Sequence, residues 1–322
     1  NNMKKKILII TSRGLLKKSL LDFKKKYNNF TNIIFCNDIL TEIEKHILDC
    51  NALINCPRNL FTKNLLSKAS DSLEWVHIGG AGCEEYLFPE FVDSKIILTN
   101  GKIIQGPEVS DHAIALLLSI SRNLNYVFKN KITNMPRPIE LRKKTALIVG
   151  MGGIGSLVAE KLSSFGMNIV GVDQNLVPLN SYVDEFIYSQ NISKVIKNAD
   201  VVICALPYTL KNHHFFSSSL FNKMKKNVIF INISRGKVVD TSALVKFVRK
   251  DKFYGVGLDV TDPEPLSRGH SLRKNIKIII TPHIAGPSDY NRERSLEVLK
   301  TNLENFILKL PLINIVDKKL GF

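Results

Sequence analysis

Residues 147–156 read LIVGMGGIGS, in which an apolar run breaks into glycines at Gly150, Gly152 and Gly155. The spacing G-x-G-x-x-G is typical of a turn that binds the pyrophosphate of a dinucleotide, and it also occurs in glycine-rich loops that bind nothing. The glycines alone leave both interpretations open. The residues on either side of them therefore decide between the two.

The stretches around these glycines have the order that a dinucleotide-binding turn requires. A β-branched run at 145–149 predicts a strand before the turn, and residues 156–166 predict a helix after it, with apolar side chains at core spacing and a glycine at its end. A second predicted strand, 168–173, ends in Asp173, 23 residues after Gly150. A carboxylate at about that separation accepts hydrogen bonds from the ribose hydroxyls. The sequence therefore predicts a dinucleotide-binding βαβ unit.

Each residue type in the turn has a physical reason. Gly150 permits the tight turn, Gly152 lets the backbone approach the pyrophosphate, and Gly155 permits close packing of the helix. The unpaired N–H groups of the first helical turn face the anion. Because the carboxylate of Asp173 repels a 2′-phosphate and no arginine follows it in DQN, the sequence favours NAD over NADP.

The composition is that of a folded protein of 322 residues, 44% of them hydrophobic, which is long enough for two domains. The net charge of +16 raises the alternative of nucleic-acid binding. The lysines are spread along the chain without aromatic interleaving or a known binding module, so we interpret them as a solvated basic surface and expect no nucleic-acid partner. The apolar runs are too short for a membrane span. Because no signal peptide is visible, we expect a cytoplasmic protein.

The cysteines and histidines do not form a metal-binding pattern. The five cysteines are odd in number and include no C-x-x-C pair, so we expect reduced thiols. A metal site needs ligands at short spacing, and His213-His214 is the only close pair in the sequence. We therefore predict that the chain binds no metal.

Short β-branched runs alternate with segments of helical spacing in two series. This alternation predicts an α/β fold with two doubly wound parallel sheets. Between the series, the segment from Pro107 predicts a helix that is apolar almost all round, which must be buried against a domain or a second subunit. Residues 126–143 are predicted to form a connecting loop. The predicted strands lie at residues 7–11, 33–36, 52–55, 75–78 and 96–99, and then at 145–149, 168–172, 201–205, 228–232, 255–259 and 277–280.

Polar side chains follow three strands of the second series. Arg235 comes just after one strand, Asp259 and Glu264 after the next, and His283 after the last. Ligands of open parallel sheets bind beyond the carboxyl ends of the strands, so we expect these side chains to converge on the dinucleotide. Taken singly, Arg235 also fits a surface cation, Glu264 fits a turn residue between two prolines, and His283 fits a residue that caps a strand. Their joint placement favours catalysis. The other histidines, His112 among them, are given no role.

Together these stretches resemble the D-isomer-specific 2-hydroxyacid dehydrogenase family, in particular its glyoxylate and hydroxypyruvate reductases, over nearly the whole chain. The resemblance also rests on GAG at 80–82, LTNGK at 98–102, ALPYT at 205–209, the helix PEVSDHAIALLLSISRNL and a C-terminal PLINIVDKKLGF. It implies a flavodoxin-like substrate domain, residues 1–105 plus 289–322, and a Rossmann NAD-binding domain, residues 106–288. It further implies a homodimer through the helix that begins at Pro107.

The resemblance assigns a role to each candidate site residue. It implies that Arg235, Glu264 and His283 are catalytic. It implies that the substrate carboxylate is bound by Arg235 and by the backbone of Gly80, Ala81 and Gly82. The residues that it places around the NAD cofactor are Gly150, Gly152, Gly153, Ile154, Gly155, Asp173, Leu206, Pro207, Ile233 and Asp259.

These residue types suit the reduction of a small 2-oxo acid, such as glyoxylate, hydroxypyruvate or pyruvate, to a D-2-hydroxy acid. The guanidinium of Arg235 holds the carboxylate and polarises the carbonyl group. His283 protonates the oxygen as the hydride arrives and removes that proton in the reverse reaction. A carboxylate at Glu264 orients the imidazole ring.

Two departures from the family pattern bear on the substrate: GAGCE stands where many members have GAGVD, and Arg273 follows HSL where a tryptophan is common. Glu264 keeps the family pattern and stands where the formate dehydrogenases of the family have glutamine, which disfavours formate oxidation. An alternative of another class stays open, namely an NAD(H)-sensing binding protein related to dehydrogenase-like corepressors. The presence of Arg235, Glu264 and His283 does not exclude it, because such a protein can have these residues and catalyse no reaction.

Overall fold

The computed structural model describes residues 4–11, 15–69, 71–177 and 181–322. The described residues divide into two compact units, of which unit 1 is formed within Asn1–Ile104 and Ser288–Phe322, and unit 2 within Gln105–Pro287. The boundaries and roles that the sequence assigns to two domains stay predictions.

The elements alternate between strand and helix along the described chain. The strands are β1 (Lys5–Ile10), β2 (Thr31–Cys36), β3 (Ala52–Ile54), β4 (Trp75–His77), β5 (Ile97–Thr99), β6 (Thr145–Val149), β7 (Asn168–Asp173), β8 (Glu185–Tyr188), β9 (Val201–Cys204), β10 (Val228–Asn232), β11 (Phe253–Leu258) and β12 (Ile278–Ile280). The α-helices are α1 (Leu15–Lys26), α2 (Leu40–Ile47), α3 (Lys63–Lys68), α4 (Pro89–Val92), α5 (Gly106–Ser121), α6 (Leu124–Phe128), α7 (Gly153–Ser163), α8 (Ile192–Val195), α9 (Ser218–Lys223), α10 (Thr241–Arg249), α11 (Ser271–Lys274) and α12 (Asn291–Leu308). Short 3₁₀ turns lie at Glu84–Tyr86, Ile132–Asn134, Ser189–Asn191, Ile196–Asn198, Leu210–Asn212 and Gly236–Val238.

Unit 1 is built on a parallel sheet in the order β2-β1-β3-β4-β5. This is the flavodoxin-like order, in which the chain reverses direction across the sheet between β1 and β3. Strand β1 is apolar at successive positions because both faces are covered: Leu8 and Ile10 enter one core cluster, while Ile7 and Ile9 enter the other. The second cluster includes α12, which returns to unit 1 from the far end of the chain.

Unit 2 is built on a parallel sheet in the order β12-β11-β10-β9-β6-β7-β8. The order reverses between β6 and β9, as in the Rossmann fold. In β6, Ala146 and Ile148 pack into one core cluster, and Leu147 and Val149 pack into the cluster on the opposite face. The glycine turn that follows β6 therefore lies at the reversal of strand order, which is where open α/β sheets bind ligands.

Helix α5 packs against β10, β11 and α7 within unit 2. Its buried side chains include Val109, Leu116 and Ile120, whereas Asp111 and Ala115 are exposed. The sequence predicted that this apolar helix is buried against a domain or a second subunit. Its buried face packs against its own unit.

The predicted fold class, two doubly wound parallel sheets, is confirmed. Two local predictions were wrong. Strand β8 was missed, because its four residues, EFIY, lie at the sheet edge and show no buried run. The segment 126–143 was predicted as a loop, but α6 extends to Phe128 and a 3₁₀ turn spans Ile132–Asn134. Within the described ranges, no helix is both long and apolar enough to cross a membrane.

Candidate active site

The glycine turn joins β6 to α7 in unit 2. Gly150 has a φ of 100°, in the left-handed region that favours glycine, and a Cβ there would lie 2.7 Å from the carbonyl oxygen of Ala205. A Cβ on Gly155 would lie 1.9 Å from the carbonyl oxygen of Gly150. A Cβ on Gly152 would meet nothing within 4 Å. The fold thus requires two of the three glycines, and the third borders open space.

This open space fits an anionic dinucleotide. Helix α7 begins at Gly153, and its N-cap Gly152 has no side chain to satisfy the first amides, so these N–H groups can bind a pyrophosphate. Ile154 follows in the first turn of α7. Leu206, Pro207 and Ile233 lie just beyond the carboxyl ends of β9 and β10, at the same edge of the sheet.

Asp173 ends β7, the strand beside β6. Its Oδ2 accepts a hydrogen bond from the N–H of Met151 at 2.8 Å, and its Oδ1 accepts from Gln174 at 2.7 Å and Asn175 at 3.3 Å. The carboxylate therefore holds the glycine turn against β7 and is partly exposed beside it. Its predicted contact with the ribose stays a prediction.

Arg235 lies in the turn after β10, and the buried Asn232 at the end of that strand fixes the turn. Asn232 Nδ2 donates to the carbonyl of Arg235 at 3.0 Å, and its Oδ1 accepts from the N–H of Ser234 at 3.1 Å. Arg235 is half-buried, and its Nη1 donates to the carbonyl of Ser234 at 2.8 Å. A Cβ on Gly236 would lie 1.9 Å from the carbonyl oxygen of Thr261, so the turns after β10 and β11 touch.

Glu264 and His283 form a direct pair. His283 Nδ1 lies 2.7 Å from Glu264 Oε1, and Glu264 Oε2 accepts from the N–H of Thr261 at 3.2 Å. The side chains of His283 and Glu264 are 48% and 41% exposed, so an incoming ligand can reach the pair. The structure therefore brings Glu264, His283 and the turn that carries Arg235 to one edge of the sheet, and their convergence on a dinucleotide stays a prediction.

His283 lies in a turn at residues 281–285, which we call the histidine turn, and one residue holds its backbone. The N–H of His283 donates to the carbonyl of Asp259 at 2.9 Å. The N–H groups of Ile284 and Ala285 donate to Asp259 Oδ1 at 3.0 Å and Oδ2 at 3.1 Å. Three consecutive amides thus converge on Asp259. His283 itself is in the left-handed region, with a φ of 54°.

Asp259 is 2% exposed, and its carboxylate is bound by the protein. Besides the two amides, the hydroxyl of Thr281 donates to Oδ1 at 2.6 Å. Burial on its own raises the pKa of Asp259, but the hydrogen bonds from His112, Thr281 and the amides outweigh burial and hold the pKa at about 2. The carboxylate is therefore charged at neutral pH. Its predicted contact with the cofactor stays a prediction.

His112, on α5, is the residue that the sequence interpretation missed. Its Nε2 lies 2.9 Å from Thr281 Oγ1 and 3.4 Å from Asp259 Oδ1. The hydrogen-bonded partners His112 and Thr281 are 169 residues apart in sequence. No local motif signals such a pair, because only the packing of α5 on the sheet brings the two side chains together.

The predicted carboxylate-binding loop, Gly80 to Gly82, follows β4 in unit 1. The carbonyl of Gly80 accepts from the N–H of Gly101 at 2.9 Å, and the carbonyl of Ala81 accepts from Asn100 Nδ2 at 2.6 Å. Within the described residues of unit 1, no backbone carbonyl accepts a hydrogen bond from the N–H groups of residues 80–82. The loop is thus fixed through its carbonyl groups, which leaves its amides available. Its substrate contact stays a prediction.

The side chains that could ligate a metal in unit 1 and unit 2 are those of His, Cys, Asp and Glu. Over the described ranges, no group of three His, Cys, Asp or Glu side chains is arranged to hold a metal ion. The cysteines at 36, 50, 56, 83 and 204 are buried free thiols.

The chain matches known proteins both in sequence and in structure. A family model described as "D-isomer specific 2-hydroxyacid dehydrogenase, NAD binding domain" matches residues 112–285. The chain is 27% identical to a glyoxylate reductase of Thermofilum pendens over 81% of this chain and 80% of that protein. It is 30% identical to a probable 2-ketogluconate reductase of Dictyostelium discoideum over 76% and 75% of the two chains. A solved structure of a D-isomer specific 2-hydroxyacid dehydrogenase family protein from Aeromonas salmonicida is 27% identical, with a TM-score of 0.81 and coverage of 98% and 99%.

Two glycine variants separate the structural from the ligand-binding part of the turn. Gly152→Ala should change the free energy of unfolding by less than about 0.5 kcal/mol, because its Cβ meets nothing, but should weaken NADH binding at least about ten-fold, because that Cβ occupies the open space. Gly155→Ala should lower the free energy of unfolding by about 2 kcal/mol, because its Cβ would collide with a backbone oxygen. Urea unfolding and NADH fluorescence titration measure the two effects. A Gly152→Ala protein that binds NADH like the unmodified one would contradict the assignment.

Proposed function

The chain belongs to the D-isomer specific 2-hydroxyacid dehydrogenase family, and we propose that it reduces a small 2-oxo acid of the glyoxylate, hydroxypyruvate or pyruvate type, with NADH, to the D-2-hydroxy acid. The observation that carries this proposal is the 2.7 Å pair of His283 Nδ1 and Glu264 Oε1, at the sheet edge that also carries the Arg235 turn. An accessible imidazole held by a carboxylate is a proton donor and acceptor with a fixed ring.

His283 is the acid-base residue in this proposal. Its Nδ1 is engaged by Glu264, which makes Nε2 the nitrogen that exchanges a proton with the substrate oxygen. NAD(H), when bound, supplies or accepts the hydride. During reduction Nε2 gives its proton to the carbonyl oxygen, and during oxidation it takes the hydroxyl proton back. Glu264 fixes the ring and stabilises the imidazolium that exists before the proton is given up.

Arg235 and the loop at residues 80–82 bind the substrate in this proposal. A guanidinium donates two parallel hydrogen bonds to a carboxylate and polarises the neighbouring carbonyl group. The turn held by Asn232 limits the freedom of Arg235, which reduces the entropy lost on binding. The available amides of Gly80, Ala81 and Gly82 are the donors to the substrate carboxylate that we assign to unit 1.

We assign the cofactor to NAD rather than NADP on the basis of Asp173. Its carboxylate lies at the end of β7 beside the glycine turn, and it would repel a 2′-phosphate. The residues after it, Gln174 and Asn175, bring no positive charge to that position.

The further assignments concern the domains and the assembly. We propose that residues 1–105 plus 289–322 form the substrate domain and that residues 106–288 form the NAD-binding domain. We also propose a homodimer in which α5 and the segment after it contribute to the interface. Support comes from apolar side chains of that segment that are exposed in the single chain, among them Val127, Phe128 and Ile132. A cytoplasmic location stays a prediction.

Substitution of the His283–Glu264 pair tests the proposed chemistry. We expect the unmodified protein to oxidise NADH with at least one of glyoxylate, hydroxypyruvate and pyruvate. His283→Ala should lower kcat by about 10²–10⁴-fold, because the proton donor is lost, while the Kd for NADH stays within about two-fold. Glu264→Gln should lower kcat about ten-fold, because the ring loses its charged partner. Steady-state absorbance at 340 nm and NADH titration measure both.

His46→Ala, in α2 of unit 1, is the matched control and should leave kcat unchanged. Binding of NADH without turnover of any 2-oxo acid by the unmodified protein would contradict the enzyme assignment and favour an NAD(H)-sensing protein.

Substitution of Asp173 tests the cofactor preference. The unmodified protein should show a kcat/KM for NADH at least about ten-fold above that for NADPH, and Asp173→Ala should bring the two within about three-fold, because the repulsion of the 2′-phosphate is removed. Asp184→Ala is the control, since Asp184 Oδ2 accepts from the N–H of Ile169 at 2.7 Å and so also binds the backbone of β7. It should leave the ratio unchanged. Equal use of both cofactors by the unmodified protein would refute the preference.

A further inference from the structure

We propose that Asp259, Thr281 and His112 form a clamp that positions His283, which makes His112 and Thr281 positioning residues of the reaction. The inference rests on the proposed function, because it traces the effect of the clamp to the acid-base histidine. It goes beyond the predicted site, in which Asp259 is a cofactor contact and His112 has no role.

The backbone of the histidine turn is held by Asp259. A histidine with a φ of 54° is in the left-handed region, which non-glycine residues occupy uncommonly and at a cost in free energy. Here the amides of residues 283, 284 and 285 all donate to Asp259, the first to its carbonyl and the other two to its carboxylate. Loss of the carboxylate contacts would let the turn relax, and the ring of His283 would move with it.

The buried charge of Asp259 depends on its hydrogen-bond donors. A carboxylate that is 2% exposed needs donors or a cation to offset its loss of solvation. Among the residues that the structure describes, no lysine or arginine pairs with Asp259, and the basic side chain beside it is His112, whose Nε2 lies 3.4 Å from Oδ1. Hydrogen bonds from the imidazole, the hydroxyl and the amides must therefore keep this carboxylate ionised. Each of these bonds contributes more than it would if a lysine also neutralised the carboxylate.

The hydrogen bonds of Thr281 determine which nitrogen of His112 carries a proton. The hydroxyl of Thr281 has one proton, and it is donated to Asp259 Oδ1 at 2.6 Å. Towards His112 Nε2, at 2.9 Å, the Thr281 oxygen must therefore accept, so His112 carries its proton on Nε2. The chain His112 to Thr281 to Asp259 then runs in one direction, which strengthens each bond and connects the histidine turn to α5.

Two matched pairs of variants test the clamp. His112→Met removes the donor at nearly constant size, and His112→Gln keeps an N–H at about the position of Nε2. Thr281→Val removes the hydroxyl, and Thr281→Ser keeps it. For the Met and Val variants we expect kcat to fall about ten-fold, while the KM for the 2-oxo acid and the Kd for NADH stay within about two-fold, because the turn loosens and the binding groups remain. The Gln and Ser variants should stay within about three-fold of the unmodified kcat.

Hydrogen exchange of the full-length protein, followed by mass spectrometry, gives a readout that needs no turnover. We expect the peptide that contains residues 281–287 to exchange at least about ten-fold faster in the Met and Val variants, and at the unmodified rate in the Gln and Ser variants. A peptide from α7 serves as the internal control and should not change.

The outcomes separate this inference from the proposed function. Faster exchange in His112→Met and Thr281→Val, with no turnover of any 2-oxo acid by the unmodified protein, would support the clamp and overturn the proposed reaction. Unchanged exchange and unchanged kcat in these variants of an active enzyme would overturn the clamp. Equal losses in the Gln and Met variants, with faster exchange throughout unit 2, would also overturn it, because they would indicate general destabilisation.

Discussion

The carboxylate of Asp259 is the contact on which the geometry of the candidate site depends. It is buried, ionised and bound by two amides of the histidine turn, while the carbonyl of the same residue binds a third. These bonds hold His283 in a left-handed conformation that is unfavourable for a histidine in isolation. His283 in that conformation pairs with Glu264. The buried carboxylate of Asp259 therefore positions the acid-base pair through the backbone of the histidine turn, without contacting the substrate.

The parallel sheet of unit 2 supplies the other part of the site. Because its strands run in one direction, the residues after β6, β9, β10, β11 and β12 all lie at one edge. The glycine turn, the Arg235 turn, Glu264 and the histidine turn are far apart in sequence and share that edge. The chain reverses across the sheet beside the glycine turn, which opens space for a dinucleotide where no side chain caps the first amides of α7. One topology thus places a cofactor turn next to acid-base groups.

Much of this arrangement is predictable from the sequence, because its signals are local. The spacing of Gly150 and Gly155 reflects two close backbone approaches, and the continuous apolar strands reflect burial on both faces. Glu264 and His283 each follow a strand of the parallel sheet, and this location in the sequence was enough to predict that they lie close together. What the sequence did not reveal depends on tertiary packing. The contact of His112 with Thr281 spans 169 residues, and β8 is a short edge strand with no buried run. Likewise, Asp173 accepts a hydrogen bond from the backbone N–H of Met151. The spacing of Asp173 after the glycines fits this structural role as well as it fits ribose binding, so the sequence alone cannot distinguish the two.

The central claim is that hydride passes from NADH to the C2 atom of a 2-oxo acid with D stereochemistry, and isotope transfer tests it most directly. The protein is incubated with NADH that carries deuterium at both C4 positions and with pyruvate or hydroxypyruvate. The product is then examined by NMR and chiral chromatography. We predict a D-2-hydroxy acid with one deuterium at C2. A product of L configuration, a product without deuterium at C2, or labelled NADH that is bound and not consumed with pyruvate, hydroxypyruvate or glyoxylate would contradict the claim.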